Sequence, residues 1–116
     1  MGNAELKQVG EDAAERALIR KGMRIVARNW RCRMGELDLV AVDGDTLVFV
    51  EVKCRAKDSL YDPALAVDHT KRVKVRKMAQ VFLATARPKF VGCRFDVVSV
   101  TAGPPLKILH ITDAFE

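Results

Sequence analysis

The stretch Gly35–Arg55, GELDLVAVDGDTLVFVEVKCR, decides the predicted fold. Two apolar runs, LVAV and LVFV, flank the turn sequence DGDT, which is typical of a β-hairpin. Charged residues interrupt both strands, at Glu36 and Asp38 on the first and at Glu51 and Lys53 on the second. Because burying a charge is costly, these positions indicate either a solvent-exposed end of the sheet or a chemical function.

The turn type fixes which charged positions face each other. If Gly44 takes the positive φ of a type II′ turn, Asp38 is predicted to face Glu51. In the same register, Glu36 is predicted to face Lys53. A type I′ turn is the alternative, and it makes Asp38 and Glu51 diagonal neighbours. In either register the four charged side chains are predicted to share one face of the sheet.

Two opposed carboxylates require a compensating cation. Side chains that face each other across a strand pair lie about 5 Å apart, and like charges at that distance destabilise a sheet. Asp38 and Glu51 offer hard oxygen ligands, which favour Mg²⁺ or Mn²⁺ over zinc. Such a metal can activate water against a phosphodiester, and Lys53 could orient that water or stabilise developing charge. Glu11, on the first predicted helix after Gly10, could complete the acidic cluster.

Periodicity and turn residues predict two helices and five strands. The helices cover residues 4–21 and 68–86, and the strands cover residues 23–30, 36–42, 47–54, 93–101 and 106–112. Asp68 is a candidate cap of the second helix, and residues 55–67 are predicted as a loop. The order α-β-β-β-α-β-β predicts an α/β domain over residues 1–116, with a mixed sheet whose third and fourth strands run parallel.

Composition limits the classes of protein and partner. The 116 residues fit one domain, and the net charge of +5 is compatible with a polyanionic partner. No apolar run approaches the roughly 20 residues of a membrane span, and the N-terminus is too polar for a signal peptide. The three cysteines are widely spaced, which favours reduced thiols in a cytoplasmic protein over disulfides or a zinc site.

Basic residues cluster on the second helix and around the ends of the hairpin. The candidate nucleic-acid-binding residues are Arg31, Arg33, Arg55, Lys71, Arg72 and Lys74, with further charge at Lys53, Lys57, Arg76, Lys77, Arg87 and Lys89. Lys and Arg contacts to phosphates give affinity that does not depend on sequence and falls with salt. Ordinary solvation of a charged helix face is the alternative. Trp30 could stack on a base or belong to the core, and no role is assigned to Tyr61.

Several segments resemble a known family. A helix Glu, Asp38 in GELDLVA and EVK in FVEVK, within αβββαβ, resemble the PD-(D/E)XK nuclease superfamily. The segments GEDAAERAL, RNWRCRMGELDLVAVDGDTLVFVEVKCR, AVDHTKR and RFDVVSV look like the small bacterial YraN-like family of predicted endonucleases. That family is distantly similar to archaeal Holliday junction resolvases. The resemblance covers nearly the whole chain, from about Gly10 to the C-terminal HITDAF.

The resemblance implies a restriction-endonuclease-like fold with a C-terminal strand, and a role for each site residue. It makes Asp38, Glu51 and Glu11 metal ligands, Lys53 the catalytic lysine, and places Lys71 near the active site. Leu37 stands where the superfamily has a proline. The implied activity is Mg²⁺- or Mn²⁺-dependent hydrolysis of DNA, including branched or damaged DNA. A homodimer is a separate expectation, because a two-fold pair could address both strands of a duplex or junction. The alternatives are a non-catalytic nucleic-acid-binding module with the same fold, and a purely structural partner protein.

Overall fold

The fold is a five-stranded mixed sheet between two helices. A computed structural model describes residues 2–57, 67–86 and 89–116, with the backbone alone at residue 86. The elements are α1 (Asn3–Arg20), β1 (Arg24–Cys32), β2 (Gly35–Asp43), β3 (Thr46–Arg55), α2 (His69–Ala86), β4 (Gly92–Thr101) and β5 (Lys107–Phe115). The strand order is β1-β2-β3-β4-β5, and α2 connects the parallel pair β3 and β4. The predicted α/β architecture is confirmed, and it is compatible with a restriction-endonuclease-like fold.

The β2–β3 turn has the predicted type II′ register. Asp43 pairs with Thr46, so Gly44 and Asp45 are the two central residues. Gly44 has a φ of 63°, and Asp45 is not among the described residues with positive φ. A positive φ at the first central position alone distinguishes type II′ from type I′.

Each helix buries one face of the sheet. On the α1 face, Ala14 and Leu18 of the helix belong to a buried cluster with Leu39, Val48 and Val98 of the sheet. On the α2 face, one side of the helix is buried in a second cluster. The cluster there consists of Val75, Met78, Ala79 and Phe82 of α2, with Leu37, Val40, Phe49 and Val97 of the sheet and further residues at its ends. Because both faces of the sheet are covered by a helix, apolar residues fill most positions of β2 and β3.

Specific local interactions fix both helices. Gly22, two residues after the end of α1, has a φ of 91°, which glycine adopts without strain. The predicted cap of α2 is confirmed, because Asp68 Oδ1 accepts the Lys71 backbone N–H at 2.9 Å. Gly10 allows α1 to approach β3 closely, since a Cβ atom at Gly10 would lie 2.1 Å from Cys54 Sγ.

Buried hydrogen bonds satisfy Asp96 on β4. Its carboxylate is fully buried and accepts the Arg94 guanidinium at 3.0 Å, the backbone N–H of Asp113 at 2.9 Å and the His110 ring at 2.7 Å. Burial alone would raise the pKa of Asp96, but the hydrogen bonds outweigh burial and lower it. Asp96 is therefore a satisfied buried group, and His110 is a satisfied residue of the sheet.

Three predicted boundaries are wrong. β1 continues to Cys32 because Arg31 pairs with Glu36, so the expected basic connection 31–33 is mostly strand. The loop predicted for 55–67 begins too early, because β3 includes Arg55. The final strand continues past residue 112 to Phe115, whose ring stacks on that of Phe95 with the ring centroids 5.0 Å apart. Residues 58–66, including Tyr61, and Arg87 lie outside the described residues.

Within the ranges that the structure describes, no helix is both long and apolar enough to cross a bilayer.

Candidate metal and nucleic-acid site

The pairing of β2 with β3 ends just before the charged positions. Leu39 and Val50 form the last recorded pair at this end. Beyond it, Asp38 Oδ2 takes the place of a backbone carbonyl and accepts the Val52 N–H at 2.8 Å. Asp38 and Glu51 are nevertheless neighbours, because the negative charge of Glu51 contributes to raising the pKa of Asp38. The structure therefore brings together the two residues that the hairpin register predicted.

Glu36 does not face Lys53, so the prediction of four charges on one face is wrong. Alternation along β2 breaks at Asp38: Leu37 packs in the α2-face cluster, whereas Leu39 packs in the α1-face cluster. In a regular strand, residues two apart lie on the same face. On the neighbouring strand β1, Asn29 has a φ of 52° at the same level. This local irregularity turns Glu36 toward α1.

Three carboxylates meet at this irregularity. One oxygen each from Glu11, Glu36 and Asp38 lies within 4.8 Å of the others. The Asn29 side-chain amide holds two of these groups, since Nδ2 donates to Glu36 Oε1 at 2.7 Å and to both Glu11 oxygens at 3.2 Å. The sequence reasoning missed Asn29, and its one signal was that Asn adopts positive φ more readily than most residues.

Cations stabilise the α1 side of this acidic cluster. Lys7 Nζ lies 3.1 Å from Glu36 Oε1 and 3.8 Å from Glu11 Oε2, and Arg28 approaches Glu11 at 3.7 Å. Burial would raise the pKa of Glu36, but hydrogen bonds from Lys7 and Asn29 outweigh burial and lower it. Glu11 is 3% exposed and is therefore a buried group rather than the solvated helix residue that Glu usually is.

In contrast to Glu36, Asp38 has a raised pKa. Burial and the negative charge of Glu51 raise the pKa of Asp38 to about 7, although the Val52 hydrogen bond acts in the other direction. Two neighbouring, largely buried carboxylates cannot both ionise without cost. A cation between them would remove that cost.

The cation nearest to Glu51 comes from α2. Lys71 Nζ lies 3.3 Å from Glu51 Oε1, and the Asp68 cap fixes Lys71 in the first turn of the helix. Lys53 follows Glu51 on β3, but among the described residues it forms no ion pair with Asp38 or Glu51. The structure thus places Lys71, rather than Lys53, in direct contact with the acidic pair.

The carboxylates of Glu36, Asp38 and Glu51 line one open cleft of about 560 Å³ at the end of the sheet. Its lining consists of Asn3, Leu6, Lys7, Gly35, Glu36, Asp38, Glu51, Val52, Cys54, Lys71 and Lys74. The three clustered carboxylates offer oxygen donors alone, a set that suits Mg²⁺ or Mn²⁺. Of the predicted ligands, Asp38 and Glu51 therefore line the cleft, and the buried Glu11 lies beside Asp38 together with Glu36.

The predicted nucleic-acid-binding residues divide into two groups. Lys71 and Lys74 line the cleft, and the exposed side chains of Arg31 and Arg33 line a neighbouring depression that shares Gly35 and Glu36 with the cleft.

The other two basic residues have partners within the fold. Arg55 Nε donates to Thr101 Oγ1 at 2.9 Å. Arg72 Nε donates to the Val67 carbonyl at 2.7 Å, and its guanidinium lies over the Phe115 ring. These two side chains do not line the cleft.

Sequence comparison assigns the chain to a family. The profile of the uncharacterised protein family UPF0102 matches residues 10–100. The chain belongs to the UPF0102 family. The matched range contains Glu11, Glu36, Asp38 and Glu51 of this UPF0102 chain. The YraN-like membership predicted from the sequence is thereby confirmed.

Relatives from distant bacteria match over most of their length. The UPF0102 protein of Nitratidesulfovibrio vulgaris strain DP4 is 48% identical over 110 residues, which cover 94% of this chain and 82% of the relative. The UPF0102 protein of Dictyoglomus thermophilum is 39% identical over 118 residues, covering 99% of this chain and 100% of the relative. The UPF0102 protein of Syntrophus aciditrophicus is 44% identical over 115 residues, which cover 98% of this chain and 91% of the relative.

Proposed function

We propose that this protein is a divalent-metal-dependent nuclease that hydrolyses phosphodiester bonds in DNA, including branched or damaged DNA. One observation carries the proposal: the carboxylates of Glu36, Asp38 and Glu51 line one cleft with Lys7 and Lys71, and Glu11 lies beside Glu36 and Asp38. Carboxylates alone would repel a phosphodiester, whereas lysines beside them attract it. The resemblance to the PD-(D/E)XK superfamily supports the same activity.

The donor chemistry of the site fits Mg²⁺ or Mn²⁺. Its ligands are carboxylate oxygens, and the mutual repulsion of Asp38 and Glu51 is relieved by a divalent cation. We propose Asp38, Glu51 and Glu11 as the ligands, with Glu36 as a further carboxylate beside Glu11 and Asp38. When bound, the metal supplies Lewis acidity at the phosphodiester and lowers the pKa of water.

The side chains of the protein orient the reacting groups. Asp38 is held by the Val52 N–H, and Glu51 by Lys71, so both carboxylates have fixed directions before substrate arrives. Lys71 and Lys53 are the two candidates for stabilising the negative charge that develops on the phosphate. Lys71 has the contact, whereas Lys53 has the superfamily pattern EVK.

A cleavage assay with matched variants tests this proposal. Linear, nicked, flap and four-way-junction DNA are incubated with Mg²⁺ or Mn²⁺. Glu51→Gln and Asp38→Asn should reduce cleavage at least about 100-fold, because they remove charge at the reacting centre. The exposed turn residue in Asp45→Asn is the control and should retain full activity. Equal cleavage by the wild type and both site variants would refute the assignment.

The two lysines are distinguished in the same assay. Lys71→Met and Lys53→Met each remove one ammonium group. The variant with the larger loss of kcat on a cleaved substrate identifies the lysine that stabilises the reaction. Loss that appears in KM alone would assign that lysine to substrate binding.

A non-catalytic nucleic-acid-binding module is the second candidate. The exposed basic residues of α2, including Lys74 and Lys77, favour it because they need no chemistry to bind phosphates. Binding that falls steeply with salt, without cleavage of any substrate by the wild type, would select this function. We further propose a cytoplasmic location, supported by three free cysteines, and a homodimer that offers two clefts to a junction. Sedimentation measures the oligomeric state.

A further inference from the structure

A second depression adjoins the cleft across the β1–β2 turn. The cleft shares Gly35 and Glu36 with a depression of about 450 Å³ that lies along Arg31 to Glu36. That depression in turn shares its residues 31–34 with a third one of about 480 Å³. The three are therefore neighbours in a row that begins at the carboxylates.

The third depression has an apolar floor and a cationic rim. Trp30, Met34 and Val81 supply the apolar surface, and Arg31 and Arg33 lie at its edge. We call it the Trp30 depression. Its chemistry differs from that of the cleft, which is lined by carboxylates and lysines. An apolar surface with neighbouring guanidinium groups matches a nucleobase with phosphates on either side.

The Trp30 ring is held in place from below. It meets Phe82 edge-on, with ring centroids 5.3 Å apart and an angle of 81° between the planes. Phe82 is itself buried in the α2-face cluster. The indole therefore has a fixed orientation, and it remains partly exposed toward the depression. A fixed, partly exposed aromatic ring can stack on a base with little loss of conformational entropy.

Arg31 links the Trp30 depression to the cleft. Its side chain is 82% exposed, and its Nε lies 3.2 Å from Glu36 Oε2. Arg31 thus lines the Trp30 depression and contacts a carboxylate of the cleft, so its guanidinium can bind a phosphate of a strand that spans both. Its position supplies the charge complementarity that a purely apolar surface would lack.

We propose that the Trp30 depression binds an unpaired nucleobase of the strand whose phosphodiester lies at the carboxylates. This inference rests on the proposed nuclease function and specifies its substrate. The bases of a regular duplex are stacked inside the helix and cannot reach the indole without being extruded. The preferred substrate is therefore single-stranded DNA or the unpaired strand at a flap, fork or junction.

Intrinsic fluorescence tests the proposal directly, because Trp30 is the one tryptophan of the chain. The full-length protein is titrated in EDTA at low salt with a single-stranded deoxythymidine oligonucleotide and with a blunt duplex of equal length. Stacking should quench about half of the emission on saturation with the single strand, whereas the duplex should bind without quenching. A bound single strand that leaves the emission unchanged, or equal quenching by the duplex, would overturn the proposal.

A matched pair of helix variants locates the binding surface. Val81→Glu places a carboxylate at the edge of the depression, at a residue that is 37% exposed. It should weaken single-strand binding about tenfold, the order expected from losing one stacked base, and leave duplex binding unchanged. Ile19→Glu, on α1 at a residue that is 53% exposed, is the control and should bind normally. Equal weakening by both variants would refute the assignment.

The outcomes separate this inference from the nuclease function. Cleavage of DNA with Mn²⁺ by the wild type, without quenching by any single strand, would refute the base-binding site and leave the nuclease standing. Quenching without cleavage under any condition would refute the nuclease and retain the base-binding site. If Val81→Glu alters the sedimentation of the protein but not its oligonucleotide affinity, the depression belongs to a second copy of the chain, and the proposal fails.

Discussion

Replacing Asp38 by Asn should stabilise the metal-free protein, although it removes a proposed ligand. The pKa of Asp38 rises from an ordinary 3.8 to about 7 because of burial and the charge of Glu51. A carboxyl group that binds its proton more tightly when folded makes stability fall as the pH increases between these two values. The folded protein therefore carries the full electrostatic cost above pH 7, and little of it near pH 4.

The magnitude follows from the pKa difference. One pKa unit corresponds to about 1.4 kcal/mol, so a rise of about three units corresponds to about 4 kcal/mol. Asn has no charge to repel Glu51, and its carbonyl oxygen can still accept the Val52 N–H at the position of Asp38 Oδ2. That hydrogen bond loses its charge assistance. We therefore expect Asp38→Asn to raise the free energy of unfolding by about 2–4 kcal/mol at pH 8, and by less than about 1 kcal/mol at pH 4.5.

Urea denaturation in EDTA at the two pH values measures this difference. Asp45→Asn, in the exposed β2–β3 turn, changes the same functional group without burial and should leave the unfolding free energy unaltered at both. With saturating Mn²⁺ the advantage of Asp38→Asn should shrink or reverse, because the wild type then gains binding energy. Destabilisation at pH 8, or an equal change at pH 8 and pH 4.5, would contradict the electrostatic reasoning.

Two further substitutions test contacts that hold the site and the sheet. Gly10→Ala should destabilise the protein by about 1–2 kcal/mol because its Cβ would overlap Cys54 Sγ. In a Cys54→Ala background the same change should stabilise the protein by up to about 1 kcal/mol through helix propensity. Thermal unfolding of all four proteins measures both changes in stability, and a change of the same sign in both backgrounds would exclude the contact. Asp96→Asn should cost about 2–4 kcal/mol at pH 7 by weakening buried charge-assisted hydrogen bonds. Because the folded pKa of Asp96 is lowered, the difference from wild type should fade as the pH falls below about 4, and a cost that is unchanged at pH 3 would contradict it.

Regular periodicity explains which parts of the fold were predictable. The type II′ turn around Gly44 fixes the register of β2 and β3, and that register brings Asp38 to Glu51. The Asp68 cap and the spacing of core residues on α2 likewise follow from local sequence. Each of these features depends on residues only a few positions apart, where stereochemistry leaves few alternatives.

The parts that were not predictable depend on a single irregular position. A strand that departs from alternation by one residue exchanges the faces of all residues beyond it. That occurs at Asp38, opposite Asn29, and it moves Glu36 away from Lys53 and toward α1. The role of Lys71 was similarly hidden, because its distance to Glu51 depends on how α2 packs on the sheet.

The same irregularity explains how one small sheet holds carboxylates from both of its faces in one cleft. With strict alternation, Glu36 and Asp38 would lie together on one face of the sheet, and Leu37 and Leu39 together on the other. Breaking the alternation at Asp38 lets Glu36 join Glu11 on the α1 side while Asp38 stays beside Glu51 and Lys71. Asp38 is therefore the residue common to both groups, and burial together with the charge of Glu51 raises the pKa of its carboxyl group to about 7. An electrostatically costly residue at such a junction is expected where stability has been exchanged for function.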